Sequence, residues 1–199
     1  MFVLTVDQRG SRHDIDRVEG LLADMEARPL LRKFERTAGD EVQAVSDDAE
    51  LVVDLALELV RRGHWHVGIG IGPVEEPLPY TTRAGRGRAF ESARDAVNRA
   101  KRTPAGVSAA AVNPESARDA EAALWLLALL VSRRTPEGHA AVAVMRGCST
   151  QGQAADRLGI TKQAVSQRLA TAGWQAEMAG RNLAARLLRM AEQKPEEGL

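Results

Sequence analysis

The stretch "RTAGDEVQAV" (36–45) sets two carboxylates side by side, Asp40 and Glu41, just after a glycine and between two β-prone runs. Glycine tolerates positive φ and aspartate bonds its own backbone, so Gly39-Asp40 reads as the tip of a tight hairpin. Acids at such a tip either serve the turn alone or supply half of a metal or phosphate site. Elsewhere, "HWHVGIGIG" (64–72) alternates, with His64 and His66 on one face at metal-compatible spacing. No cysteine or third histidine joins them, and solvated or packed imidazoles are the better reading. The glycines of this run lie within a strand and lack a following helix start, so "GIGIG" is not a dinucleotide fingerprint. They predict that a helix or a ligand approaches the sheet closely. His13 and His139 stand alone, and Cys148, the only cysteine, has no catalytic setting.

Positioning these groups falls to a strand–helix alternation over residues 1–113. "FVLTVD" (2–7) reads as a buried strand. "DIDRVEGLLADMEAR" (14–28) reads as a helix with Ile15, Val18, Leu21, Leu22 and Met25 on one side. After the hairpin, "AELVVDLALELVRRG" (49–63) is a helix capped by Asp47 or Asp48 and stopped by Gly63. The 64–72 strand, a Pro-, Gly- and Arg-rich loop over 73–87, a helix at 88–103 and a strand at 106–113 complete the half. The order strand, helix, strand, strand, helix, strand, helix, strand is a split βαβ plan with one added strand, an α+β ferredoxin-like sandwich.

From residue 114 the texture is entirely helical. Helices are expected at 115–134 and from Pro136. A last one at 175–193 carries Ala176, Ala179, Leu183, Leu187 and Met190 along one side. Asn113-Pro114 marks the expected boundary between domains 1–113 and 114–199.

The 199 residues carry 44% hydrophobic side chains, enough for one large domain or two small ones. Twenty-seven bases balance 27 acids, so net charge makes no case for nucleic acid, although a local patch can. One cysteine excludes an internal disulfide. "MFVLTVDQRGSR" meets an acid after six residues, unlike a signal peptide. "AALWLLALLVS" (122–132) is too short to cross a bilayer. A cytoplasmic protein without a membrane partner is expected.

"QAADRLGITKQAVSQRL" resembles the helix-turn-helix of bacterial transcription regulators and sigma-factor-type domains, over about 150–172. Ala155 is small where two helices must cross, and Gly159 suits the turn. Ala154, Leu158, Ile160, Val165 and Leu169 form a mini-core. Thr161 caps the second helix and leaves Lys162, Gln163, Ser166 and Gln167 exposed. Glutamine reads adenine edges, and lysine and arginine meet guanine or phosphate. With Gln151 and Arg168 these are the expected contacts to double-stranded DNA. Arg146, Arg157, Lys162 and Arg168 face one acid, Asp156, between 146 and 173. Such motifs work as two-fold dimers, so a homodimer is expected, the helices flanking the motif serving either as its interface or to complete the core of the helical domain.

In the first half, "TVDQRGSR", "TAGDEVQAV", "VGIGIG" and "GRGRAFESARDAVNRAK" together resemble the SatD family, with Val42 where that family prefers Phe. A more distant likeness runs to class III nucleotide cyclases and GGDEF-type domains. That likeness implies that Asp7, at the end of the first strand, and Asp40, at the hairpin tip, hold Mg²⁺ or Mn²⁺ with a nucleotide. It also implies that Arg94 aims at phosphate, with Arg86, Arg88 and Glu41 nearby. The cyclase helix has an Asn four residues before its Arg; here that residue is Phe90, and no base-selecting lysine is evident. Losing a group that orients the reacting atoms harms turnover more than binding. The expectation is therefore a non-enzymatic, two-domain regulator with a nucleotide-sensing first half. Its rivals are an active metal-dependent nucleotidyl cyclase with a helical regulatory tail, and a dimerising scaffold that senses nothing.

Overall fold

The computed structural model describes residues 1–193. The chain is α+β: a five-stranded mixed sheet with helices, followed by an all-helical region. The first part runs β1 (Phe2–Gln8), α1 (Val18–Met25), β2 (Arg32–Ala38), β3 (Glu41–Ser46), α2 (Ala49–Arg62), β4 (Trp65–Ile71), α3 (Arg88–Ala100) and β5 (Val107–Ala111). Strand order is β2-β3-β1-β4-β5. β1 is antiparallel to both neighbours, while β5 runs parallel to β4 at the edge.

Period-2 alternation sends the two sides of each strand to different partners. Phe2, Leu4 and Val6 of β1 join Trp65, Val67, Ile69 and Ile71 of β4 in the main core, under α1 and α2. Val3 and Val45 face the other way and meet Ala89, Phe90 and Ala93 of α3. This is where the β4 glycines act. A Cβ on Gly68 would lie 2.2 Å from the Val97 nitrogen, and one on Gly70 would lie 2.0 Å from the Ala89 oxygen. A helix, not a ligand, makes the close approach.

Asp48 caps α2, and Gly63 ends it with φ 76°. α1 is shorter than its sequence pattern, because Gln8 takes over the preceding loop. The buried Gln8 amide donates to the Ile15 carbonyl at 2.7 Å and accepts from the Arg17 N–H at 2.9 Å. Ile15 is consequently left exposed.

The helical region comprises α4 (Pro114–Ser132), α5 (Pro136–Arg146), α6 (Gln151–Leu158), α7 (Lys162–Thr171) and α8 (Trp174–Glu192). The main core continues past residue 113: Leu124, Leu127 and Ala128 of α4 and Ala184, Ala185 and Leu188 of α8 belong to it. α5, α6 and α7 close around a second, smaller core. The side of α8 expected from its apolar spacing is the outward one. Ala176, Ala179, Leu183 and Met190 are exposed, and Leu187 is half-buried. Ala184, Ala185, Leu188 and Ala191 instead turn inward, together with Glu177. Among the described residues no helix is long and apolar enough to cross a membrane.

Candidate functional site

At the end of the sheet where β1 finishes, Asp7 lies opposite Glu41 on β3 and His66 on β4. Asp40 follows Gly39 (φ 58°) at the two-residue hairpin turn, so both acids of the opening motif sit beside Asp7. Asp7 and Glu41 are satisfied within the protein, whereas the Asp40 side chain has no hydrogen bond or ion pair among the described residues. The Asp7 carboxylate is paired with the Lys101 Nζ at 2.6 Å, and Glu41 accepts a hydrogen bond from the Thr37 hydroxyl at 2.7 Å. His66 is partly buried beside them and its Nδ1 has no hydrogen-bond partner among the described residues. Burial and the neighbouring Arg9 charge hold this imidazole below its ordinary pKa, that is, neutral.

The other polar residues of the "TVDQR" run are engaged as well. Thr5 bonds the buried Gln43, and Arg9 reaches the Trp65 carbonyl at 3.0 Å. The three arginines are not gathered at this end. α3 brings its C-terminus to Asp7 through Lys101, and its 13 residues span about 20 Å. Arg86 and Arg88 therefore lie at the far end of that helix, Arg88 beside Glu91 at 3.2 Å. Arg94 is exposed on α3 between them. Phe90, standing where a cyclase carries Asn, is buried with Val3 and Val45 and stacks under Gly85. Among the described residues, no three His, Cys, Asp or Glu side chains converge as a metal would need. Asp7 already holds a cation in Lys101, which a Mg²⁺ or Mn²⁺ ion would have to displace.

The α6–α7 pair is organised differently. Thr150 caps α6 by accepting from the Gln153 N–H, and Thr161 caps α7 by accepting from Ala164 at 3.1 Å. Between them Gly159 takes φ 63°, where a Cβ would be strained. Ala154, Ala155, Val165 and Leu169 are buried against Ala141 and Val142 of α5, with Leu158 and Ile160 at the margin. The geometry leaves Lys162, Gln163, Ser166 and Gln167 exposed on α7, with Arg168 half-buried and Gln151 half-buried at the start of α6. Among the described residues, the side chains of Lys162, Gln163, Ser166 and Gln167 make no hydrogen bond or ion pair within the protein. Here, donors and acceptors point outward and are free.

One charged centre had only a partial signal in the sequence. Glu177 of α8 is 1% exposed and accepts from three guanidiniums: Arg134, Arg146 at 2.8 Å and Arg181 at 2.7 Å. Arg134 also donates twice to the Ala172 carbonyl, and Arg181 reaches Asp54 on α2. Burial pushes the Glu177 carboxyl up, but the Arg134 hydrogen bond and the Arg181 charge outweigh it and hold it below its ordinary range. The i,i+4 spacing of Glu177 and Arg181 was legible; Arg134 comes from the α4–α5 loop and Arg146 from α5. This centre ties the second core to the sheet body.

Both α4 and α8 keep apolar side chains in solvent. Leu126 is 72% exposed and Met190 57%, with Trp125, Leu129 and Leu183 partly so. The two helices are antiparallel neighbours, Gly173 meeting Leu130 and Gly180 meeting Leu127.

No family model, curated protein or solved structure matches this chain.

Proposed function

We propose that this protein is a DNA-binding transcriptional regulator, with α6 and α7 as a helix-turn-helix and α7 as the helix entering the major groove. The single observation that carries the reading is the α7 surface. It has its own threonine cap, its own core beneath, and four adjacent polar side chains without partners among the described residues. Polar groups so presented match base edges and phosphates. The SatD resemblance and the ferredoxin-like order of the first four strands are consistent with a scaffold related to cyclases but put to binding use. Buried Phe90 and the Lys101–Asp7 pair weigh against turnover.

One helix pair binds weakly, and two half-sites about 34 Å apart call for a two-fold dimer. The exposed apolar side chains of α4 and α8 suit contact with a second copy of this chain, because so many large ones in solvent mark an interaction surface.

A duplex selected from a random pool supplies the test. Replacing Lys162, Gln163 and Gln167 together by Ala should lower affinity for that duplex at least 100-fold. Circular dichroism should stay unchanged, since all three are exposed. Salt slopes must accompany the affinities, because phosphate attraction alone is non-specific. Undiminished sequence-specific binding by the triple variant would sink the proposal.

A further inference from the structure

Between α2 of the sheet body and α5 of the helical unit lies a cavity of about 350 Å³ whose charges do not balance. Its walls carry Arg28, Arg61, Arg134, Arg146 and Arg181 against Asp54, Glu58 and Glu177. The acids are already shared. Glu177 serves Arg134, Arg146 and Arg181, Asp54 serves Arg181, and Glu58 serves Arg28 and also Arg62 from outside the lining. A carboxylate offers about four lone-pair sites and each guanidinium five donors. Donors are thus in excess, and Arg61 has no acid partner among the described residues.

Such an excess in a partly enclosed site favours an anion, and planar guanidiniums match phosphate oxygens two at a time. The neighbouring His139 registers the same field. Burial, then Arg134 and Arg61, depress its pKa. The volume falls at the small end of ligand sites, adequate for a compact group.

We infer that this cavity binds a small, multiply charged phosphate-type anion, held chiefly by Arg61 of α2 and Arg146 of α5. Such a ligand would bridge the sheet body to the unit that carries α7. It would thereby fix the orientation of α7 and favour one DNA-binding state over another, as an effector must. This last step rests on the DNA-binding reading; the site itself does not.

The probes are inorganic pyrophosphate and tripolyphosphate, titrated calorimetrically into the full chain at constant ionic strength without DNA. One anion should bind per chain. Affinity should fall at least tenfold in Arg61→Ala and be lost in Arg61→Glu, both at an exposed position without an acid partner. Arg146→Gln should weaken it similarly, and Lys162→Ala, on the α7 surface, should leave it unchanged. The absence of saturable binding would overturn the site. Equal affinity in wild type and both Arg61 variants, or loss in Lys162→Ala, would do the same. In a second step, saturating pyrophosphate should shift affinity for the selected duplex at least fivefold in wild type and not in Arg61→Glu. Binding of the anion with no such shift would overturn the regulatory step and leave the site. Failure of the protein to bind any duplex would instead fall on the DNA reading.

Discussion

The hairpin end of the sheet and the α6–α7 pair both concentrate polar residues, and the protein treats them in opposite ways. At the hairpin end, all but the tip acid Asp40 are taken up internally: Asp7 by Lys101, Glu41 by Thr37, Gln43 by Thr5. On α7, the polar side chains rest on an apolar base and engage nothing among the described residues. Residue types alone do not separate these cases. A polar group is available for recognition only if folding has not already satisfied it, because an internal partner must be given up before an external one is gained.

The comparison can be broken most forcefully at the link between the helical unit and the body. Glu177→Ala leaves three guanidiniums around an empty position. A loss of about 3–5 kcal/mol in denaturant unfolding is expected, as for other buried pairs deprived of one partner. The same centre sets an acid limit. Since the folded Glu177 pKa lies below the unfolded value of roughly 4.3, its pairing stabilises fully above that pH and is lost as pH falls through the folded value. Acid unfolding of Glu177→Gln should lack that component.

Next come the local devices of the α6–α7 pair. Thr161→Ala should cost about 1 kcal/mol by removing the cap. It should also weaken DNA binding by displacing the start of α7; unaltered stability and affinity would show that the turn does not depend on its cap.

Smaller effects are expected at the hairpin end. Asp40→Ala should change stability by no more than about 0.5 kcal/mol, as at an ordinary surface site. Thermal unfolding of both wild type and variant should be indifferent to Mn²⁺ with ATP. A Mn²⁺-dependent stabilisation lost in the variant would restore the tip as a ligand site and remove the contrast. The smallest expected effect is a gentle loss of stability below about pH 6.5. It arises because the unfolded chain protonates His66 more readily than the folded one does. The slope should shrink in His66→Gln and disappear only when His139, whose pKa is likewise depressed, is replaced as well.

Much of this was legible in the residues, and the reason is distance along the chain. The caps at Asp48 and Thr161, and the glycine turns at 39, 63 and 159, act over a few residues. Alternation likewise placed Trp65, Val67, Ile69 and Ile71 on one face of β4. On α8, alanine and leucine at helical spacing do not say which side is covered. The buried side was the one holding Glu177 and Arg181, whose charges are neutralised by partners on α2, on α5 and in the α4–α5 loop.

The sequence by itself determined the α+β order of elements, the break to helical texture after residue 113 and the capped pair with its exposed polar face. Only the tertiary structure decided that Lys101 meets Asp7, that Arg86 and Arg88 stand a helix length away, and that arginines from three helices and two loops border one cavity. Local patterns follow from interactions between near neighbours. Convergence of charges from distant segments depends on how helices pack, which no spacing rule along the chain encodes.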